Sequence, residues 1–132
     1  TEGLQAITTL KRENIATNMT LVFSVNQALL GALAGATYVS VFVGRLDDAG
    51  HDGMQVVSDV VKVLNNYPDL STQVIAASIR HPLHCVASAM AGAHIATIPF
   101  AVIMQMIRHP LTDVGVARFL SDWQGVLKQK GK

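Results

Sequence analysis

The sequence predicts an α/β protein in which helices cover a parallel sheet. Short apolar runs rich in β-branched residues alternate four times with segments of helical periodicity, and one further helix lies at each end. Half of the 132 residues are hydrophobic and 14% are charged, as expected for strands that are buried on both faces. Two architectures fit this alternation: a small doubly wound sheet, and half of an eight-stranded TIM barrel, which needs about 250 residues when complete.

The first half of the chain is predicted to contain two helices and two strands. These are an amphipathic helix at 2–14, a strand at 15–23, a helix at 25–34 and a strand at 37–43. Ser24 provides a cap for the second helix, and Gly35 ends it. The polar, glycine-rich segment 44–53 is predicted to be a loop, and a loop after a buried strand is a common place for function.

The second half continues the same alternation. Helices are predicted at 54–66, 81–91, 99–108 and 114–128, and strands at 73–77 and 94–98. Asp59 and Lys62 should face away from the core. The last helix carries its apolar residues at helical spacing, namely Val116, Phe119, Leu120, Trp123 and Leu127.

Composition argues against two classes of partner. The formal charge is +1 and no basic cluster occurs, so nucleic acid is not predicted. No charged residue occurs between Glu13 and Arg45, but polar residues and a change of periodicity interrupt this run, which favours a buried strand–helix–strand unit over a membrane span. The single Cys85 is predicted to be packed and unpaired, which indicates a cytoplasmic protein.

Polar side chains lie in or just after the predicted strands, at the edge where both candidate architectures bind ligands. Arg45 follows the second strand, and Ser78 and Arg80 follow the third. Two guanidinium groups and a hydroxyl suit a phosphate, because guanidinium binds phosphate oxygens in bidentate fashion. The alternative is a surface ion pair between Arg45 and an aspartate of the 44–53 segment.

Asn18 and Thr20 lie on the same side of the first strand, where they could position a water molecule or a substrate hydroxyl, or serve only the structure. His81 and His84 are spaced three residues apart at a helix start. No third ligand is evident, so a structural role is favoured and no metal site or cofactor is predicted.

Three longer runs carry a family resemblance: TNMTLVFSVNQALLGALAGATYVSVFVGRLDD, AASIRHP and HPLTDVGVARFLSDW. They resemble the small transaldolases and fructose 6-phosphate aldolases, which are class I aldolase barrels. The resemblance covers essentially the whole chain and implies that residues 1–132 form the C-terminal half of a (β/α)8 TIM barrel, from helix four through strand eight and the final helices, with the N-terminal half missing.

The resemblance also implies roles for seven residues, with a sugar phosphate as substrate. Thr20 matches a threonine that holds a catalytic water, Asn18 matches an asparagine that contacts the dihydroxyacetone unit, and Ser40 matches an active-site serine. Phe42 matches a position that is phenylalanine in transaldolases and tyrosine in the aldolases, which favours transfer of a dihydroxyacetone unit between sugar phosphates. The phosphate-binding set corresponds to Arg45, Ser78 and Arg80. Val41 departs from the family, which usually has proline there.

The resemblance implies that the lysine forming the Schiff base lies on strand four, just before the threonine that corresponds to Thr1. The chain would then lack its nucleophile, because Lys11 and Lys62 belong to outer helix faces and the tail lysines (Lys128, Lys130 and Lys132) follow the last helix. The alternatives are a fructose 6-phosphate aldolase and a non-catalytic half-barrel that only binds phosphosugars. A half-barrel exposes sheet edges, so we expect a homo-oligomer or association with the missing N-terminal half.

Overall fold

The computed structural model describes residues 1–130 and the side chains of residues 1–128. The elements, in chain order, are α1 (Glu2–Arg12), β1 (Asn18–Val22), α2 (Val25–Leu33), β2 (Tyr38–Phe42), α3 (Val43–Asp48), α4 (Gly53–Asn65), β3 (Gln73–Ala77), α5 (Pro82–Met90), β4 (Ile95–Ala96), α6 (Phe100–Ile107) and α7 (Pro110–Lys130). The side chain of Lys130 and the whole of Lys132, both predicted to be in the tail, lie outside the described part.

All four strands are parallel, and their order in the sheet is β1-β2-β3-β4. Each strand therefore pairs with the next one along the chain, and the order never reverses. A doubly wound sheet has a point at which its strand order reverses, whereas a barrel adds each strand beside the previous one. The structure thus decides between the two predicted architectures in favour of the half-barrel.

The core lies between the sheet and the helices on one of its faces. Val39 and Val41 of β2, and Val74 and Ala76 of β3, are fully buried on that face. On the opposite face of β2 the alternate residues are Tyr38, Ser40 and Phe42. Because side chains alternate across a strand, every second residue packs against the helices, and the predicted site residues of β2 lie on the opposite face.

The segment 44–53, predicted to be a loop, begins with a short helix, so this prediction is wrong for its first half. Residues Val43 to Asp48 form α3, and a turn at Gly50 (φ 79°) separates it from α4. Val43 and Leu46 are buried, so apolar packing holds the helix despite its polar sequence. Arg45 therefore lies on a helix that starts directly at the end of β2.

Other boundaries differ from the prediction as well, for example the start of β1, which lies at Asn18 rather than at residue 15. Helix α7 begins at Pro110, four residues earlier than expected. A proline at the first helical position loses no hydrogen bond, because its nitrogen would have no partner there in any case. The backbone N–H of Leu111, the next residue, donates to Nδ1 of His109 (3.2 Å). Strand β4 spans only Ile95–Ala96 and, within residues 1–130, pairs with β3 alone. Asp59 and Lys62 face away from the core as expected, and they form an exposed ion pair on α4 (3.4 Å).

Within residues 1–130, no helix combines the length and the apolar character needed to cross a membrane.

Candidate active site

The first pair of predicted site residues lies side by side on β1 and β2. The hydroxyl of Ser40 donates a hydrogen bond to Oδ1 of Asn18 (2.8 Å). Ser40 is buried, whereas Asn18 is exposed. Because Oδ1 accepts this bond, the amide nitrogen of Asn18 is left to donate to a ligand oxygen. The pair is thus a fixed polar platform on the face of the sheet away from the helices.

Thr20 lies in a bulge that the sequence did not reveal. Met19 is opposite Val39 and Val22 is opposite Val41, so β1 has one more residue than β2 between these pairs. The extra residue is accommodated at Leu21, whose φ of 56° is unusual for a branched side chain. Met19 and Val22 can therefore both pack on the helix side, while Thr20 is exposed.

Phe42, at the end of β2, organises the side chains around it. Its ring packs edge-on against that of Phe23 (5.9 Å between centroids), and the guanidinium carbon of Arg45 lies 5.1 Å from the centre of the Phe42 ring. This distance allows a cation–π interaction that orients Arg45. Among the described residues Arg45 forms no ion pair, so the alternative of a surface pair with an aspartate does not hold.

The ends of β2 and β3 are joined by their backbones. The N–H of Gly44 donates to the carbonyl oxygen of Ser78 (3.0 Å). A Cβ at position 44 would overlap this oxygen and the side chain of Arg80, so only glycine permits the approach. Ser78 itself has φ of 58°, in the left-handed region. These features place Arg45, Ser78 and Arg80 at or just after the adjacent ends of β2 and β3.

Arg80, rather than Arg45, forms the ion pair with the aspartates of α3. One guanidinium nitrogen of Arg80 lies 2.7 Å from a carboxylate oxygen of Asp48, and both side chains are more than half exposed. Exposed ion pairs contribute little to stability, about 0–1 kcal/mol. A phosphate could therefore take over part of the coordination of Arg80 at little energetic cost.

Most of the histidines bond to the backbone, and for His81 and His84 this agrees with the structural role that the sequence favoured. Four of them accept a backbone N–H through Nδ1, namely His81, His84, His94 and His109. No group of three or more metal-ligating side chains occurs within the described residues. Cys85 is buried and unpaired.

The lysines whose side chains the structure describes all belong to helices. Lys11 lies on α1, Lys62 on α4 and Lys128 on α7, and each is exposed. None of these three therefore lies on a strand beside Asn18, Ser40 or Phe42.

Comparison with known proteins identifies the family. Residues 1–130 match the family model described as Transaldolase/Fructose-6-phosphate aldolase. The chain belongs to this family. The match covers all the site residues described above, and it confirms the family that the three sequence runs indicated.

Curated relatives in the transaldolase/fructose-6-phosphate aldolase family are considerably longer than this chain. A probable transaldolase of Dehalococcoides mccartyi is 63% identical over 127 residues, which are 96% of this chain and 58% of the relative. A probable transaldolase of Desulforudis audaxviator is 64% identical over 128 residues, or 97% of this chain and 59% of the relative. The chain thus spans somewhat more than half the length of these relatives.

Solved structures support the fold independently of sequence. A mandelate oxidase superposes with a TM-score of 0.54 at 14% identity, over 72% of this chain and 29% of that protein. A lactate oxidase of Pediococcus acidilactici gives a TM-score of 0.56 at 16% identity, over 71% and 26% of the two chains. Both are TIM-barrel proteins, and at this low identity the similarity concerns only the fold, which is that of a partial barrel.

Proposed function

We propose that this chain provides the substrate-binding half of a transaldolase, which transfers a dihydroxyacetone unit between sugar phosphates through a Schiff base. The observation that carries the proposal is the convergence of Arg45, Ser78 and Arg80 at the adjoining ends of β2 and β3. Both arginines are exposed and have side chains able to bind a dianion in bidentate fashion. Family membership supports a sugar phosphate as the substrate.

The remaining residues suit the other end of the same substrate. The Asn18–Ser40 pair is rigid and supplies donors and acceptors for the hydroxyl groups of a dihydroxyacetone unit. Thr20, exposed beside this pair, holds the water through which protons move. Phe42 lies between the two sets, so its ring sets the separation between the phosphate and the polar platform.

In the proposed reaction, a lysine from outside these 132 residues attacks the ketose carbonyl and expels water to form the Schiff base. Loss of the proton from the hydroxyl next to the scissile bond releases an aldose phosphate, and the dihydroxyacetone unit remains bound to the lysine as an enamine. The enamine carbon then adds to the aldehyde of an acceptor, and water hydrolyses the product from the lysine. The residues of this chain bind both sugar phosphates and hold the water.

Borohydride trapping tests whether the nucleophile lies elsewhere. We expect fructose 6-phosphate and borohydride to label the complete polypeptide that carries this sequence, and to leave the 132-residue chain unlabelled, as judged by intact mass. A covalent adduct on the 132-residue chain would contradict the proposal that its lysines are not the nucleophile. A complete polypeptide that cannot be labelled would contradict Schiff-base chemistry altogether and favour a protein that only binds phosphosugars.

Substitution of Arg45 tests the phosphate site. We expect Arg45→Met to weaken binding of fructose 6-phosphate about 10- to 100-fold, because one charge-assisted contact is worth roughly 1.5–3 kcal/mol. Binding of dihydroxyacetone, which has no phosphate, should not change. Arg118→Met is a matched control, because Arg118 lies exposed on α7, a helix that is almost wholly exposed. An equal loss of affinity for both ligands would contradict the assignment.

A further inference from the structure

His84 connects the two segments that carry the arginines. It lies on α5 and only 7% of its surface is exposed. Its Nε2 lies 3.0 Å from a carboxylate oxygen of Asp47 on α3, the helix that carries Arg45. Its Nδ1 accepts the backbone N–H of Arg80 (3.3 Å). One imidazole ring therefore joins α3 to the backbone of the second arginine.

Asp47 extends this connection to a third element. Its other carboxylate oxygen accepts the backbone N–H of Gly53, the first residue of α4, at 2.9 Å. Both oxygens of Asp47 are thus used within the protein, which leaves Asp48 to pair with Arg80 at the surface. The carboxylate fixes the end of α3 between α4 and the His84 ring.

Only one neutral form of His84 satisfies both contacts. The N–H of Arg80 needs an acceptor at Nδ1, so the ring proton must be on Nε2, where it donates to Asp47. Burial lowers the pKa of His84, the adjacent His81 and Arg80 lower it further, and Asp47 opposes them. The His81 ring lies 3.7 Å away, centroid to centroid. The local environment therefore favours the form that the geometry requires.

We infer that His84 is a positioning residue for the phosphate site, which holds Arg45 and Arg80 at the spacing that a phosphate group requires. The inference rests on the proposed function, because the contacts of His84 with Asp47 and with the Arg80 N–H matter for binding only if the arginines bind a phosphate. His84 acts through α3 and through the backbone of Arg80. Without the imidazole, one side-chain connection between these segments is lost, and the polar contacts that remain between them among the described residues are the Gly44–Ser78 bond and the exposed Asp48–Arg80 pair.

Three substitutions separate the two contacts of the ring. His84→Asn keeps an acceptor near the Nδ1 position, whereas His84→Gln keeps a donor near the Nε2 position. His84→Phe fills a similar volume and makes neither bond. Ser88→Ala is the matched control, because Ser88 is one turn further along α5 and is 2% exposed. Its hydroxyl bonds to the carbonyl oxygen of His84 within α5 and to the sulfur of Met54, and it contacts neither Asp47 nor the Arg80 N–H.

The test is calorimetric titration of the complete polypeptide with inorganic phosphate, with dihydroxyacetone as the ligand that lacks phosphate. We expect His84→Phe to weaken phosphate binding about tenfold, the equivalent of roughly one hydrogen bond to a charged group. His84→Asn and His84→Gln should each lose less. Dihydroxyacetone binding should stay unchanged in all three, and Ser88→Ala should bind both ligands like the wild type even if its melting temperature falls.

Two results would overturn the inference, and they differ in what they say about the proposed function. If Arg45→Met loses phosphate binding while all three His84 variants keep it, His84 has no positioning role and the phosphate site stands. If the wild type does not bind phosphate and Arg45→Met changes nothing, the phosphate site itself is wrong. If His84→Phe does not fold, the Asn and Gln variants decide, since each keeps one of the two bonds.

Discussion

Ser78, whose hydroxyl belongs to the proposed phosphate site, adopts an unfavourable backbone conformation. Its φ of 58° costs a non-glycine residue roughly 1–2 kcal/mol, and the N–H of Gly44 bonds to its carbonyl oxygen in that conformation. Glycine would relieve the strain but would remove a donor from the proposed phosphate site. Under the proposed function, serine at position 78 therefore lowers the stability of the fold and supplies a hydroxyl for phosphate binding.

Substitutions at Ser78 should separate these two effects. We expect Ser78→Gly to be more stable than Ser78→Ala by about 1 kcal/mol, because only glycine adopts this φ without strain. Both variants should bind phosphate more weakly than the wild type, because both lack the hydroxyl. Urea unfolding gives the first quantity and calorimetry the second. Equal stability of the two variants would mean that the conformation is not strained.

His84 should make the stability of the fold depend on pH. Burial is the main cause that lowers its pKa in the folded protein below the ordinary value of about 6.5. The unfolded chain then binds more protons than the folded one between these two values. We expect the contribution of neutral His84 to the free energy of unfolding to be fully present above about pH 6.5. It should be lost as the pH falls towards the lower pKa of the folded state.

Unfolding by urea at several pH values between about 7.5 and 5 measures this effect. His84→Gln should show a smaller fall in the free energy of unfolding over that range than the wild type. His51→Gln, which alters an exposed histidine in the turn between α3 and α4, should keep the wild-type slope. Equal slopes for His84→Gln and the wild type would show that another group causes the dependence.

At the scale of elements, the site depends on the close approach of the ends of β2 and β3. Gly44 makes this contact through its backbone N–H to Ser78, and Arg45 follows it directly on α3. The bulge in β1 has a similar effect on the neighbouring strand, since it turns Thr20 and Leu21 away from the helices. Strand ends thus position Ser78 and the two arginines, a bulge positions Thr20, and regular strand positions the Asn18–Ser40 pair.

Gly44→Ala tests the approach of the two strands. The added Cβ meets a backbone oxygen, which cannot move as a flexible side chain can, so we expect a loss of about 1–3 kcal/mol in unfolding free energy. Phosphate binding should weaken as well, because Arg80 is displaced. Gly3→Ala is the control: nothing lies within 4 Å of its Cβ in α1, so stability should rise slightly. A Gly44→Ala variant as stable as the wild type would show that the ends of β2 and β3 can accommodate a Cβ at position 44 without steric conflict.

At the scale of the whole molecule, the described chain has unpaired sheet edges and exposed apolar surface. Within residues 1–130, β1 pairs only with β2, and β4 only with β3. Helix α7 exposes one apolar stripe, which includes Phe119 (74% exposed) and Trp123 (60% exposed). Unpaired edges and apolar stripes of this kind favour association with another chain.

We therefore expect this chain to associate, either with the remaining barrel segment or with a second copy. Sedimentation at micromolar concentration measures the association, and a stable monomer would contradict the expectation. Phe119→Glu together with Trp123→Glu should weaken any self-association through α7, because association would then bury two charged side chains in place of two apolar ones. Ser121→Glu, roughly on the opposite side of the same helix, should have little effect.

Most of the fold follows from local sequence. The alternation of β-branched runs with helical periodicity predicted all four strands and their order along the chain, because binary patterning reflects which faces are buried. It failed at α3, where two buried residues, Val43 and Leu46, override a polar and glycine-rich sequence. It also could not distinguish a doubly wound sheet from a half-barrel, since strand order depends on contacts between distant segments.

The residue types available to the candidate site can be identified from the sequence: two arginines and a serine after two strands, with Asn18, Thr20, Ser40 and Phe42 on or at the ends of strands. The contacts among them could not be identified in that way, namely the Arg80–Asp48 pair, the guanidinium of Arg45 near the Phe42 ring, and the link that His84 makes between the two arginine-bearing segments. Each of these contacts requires a distance or a backbone conformation that arises only when β2 and β3 pair, with Gly44 against Ser78.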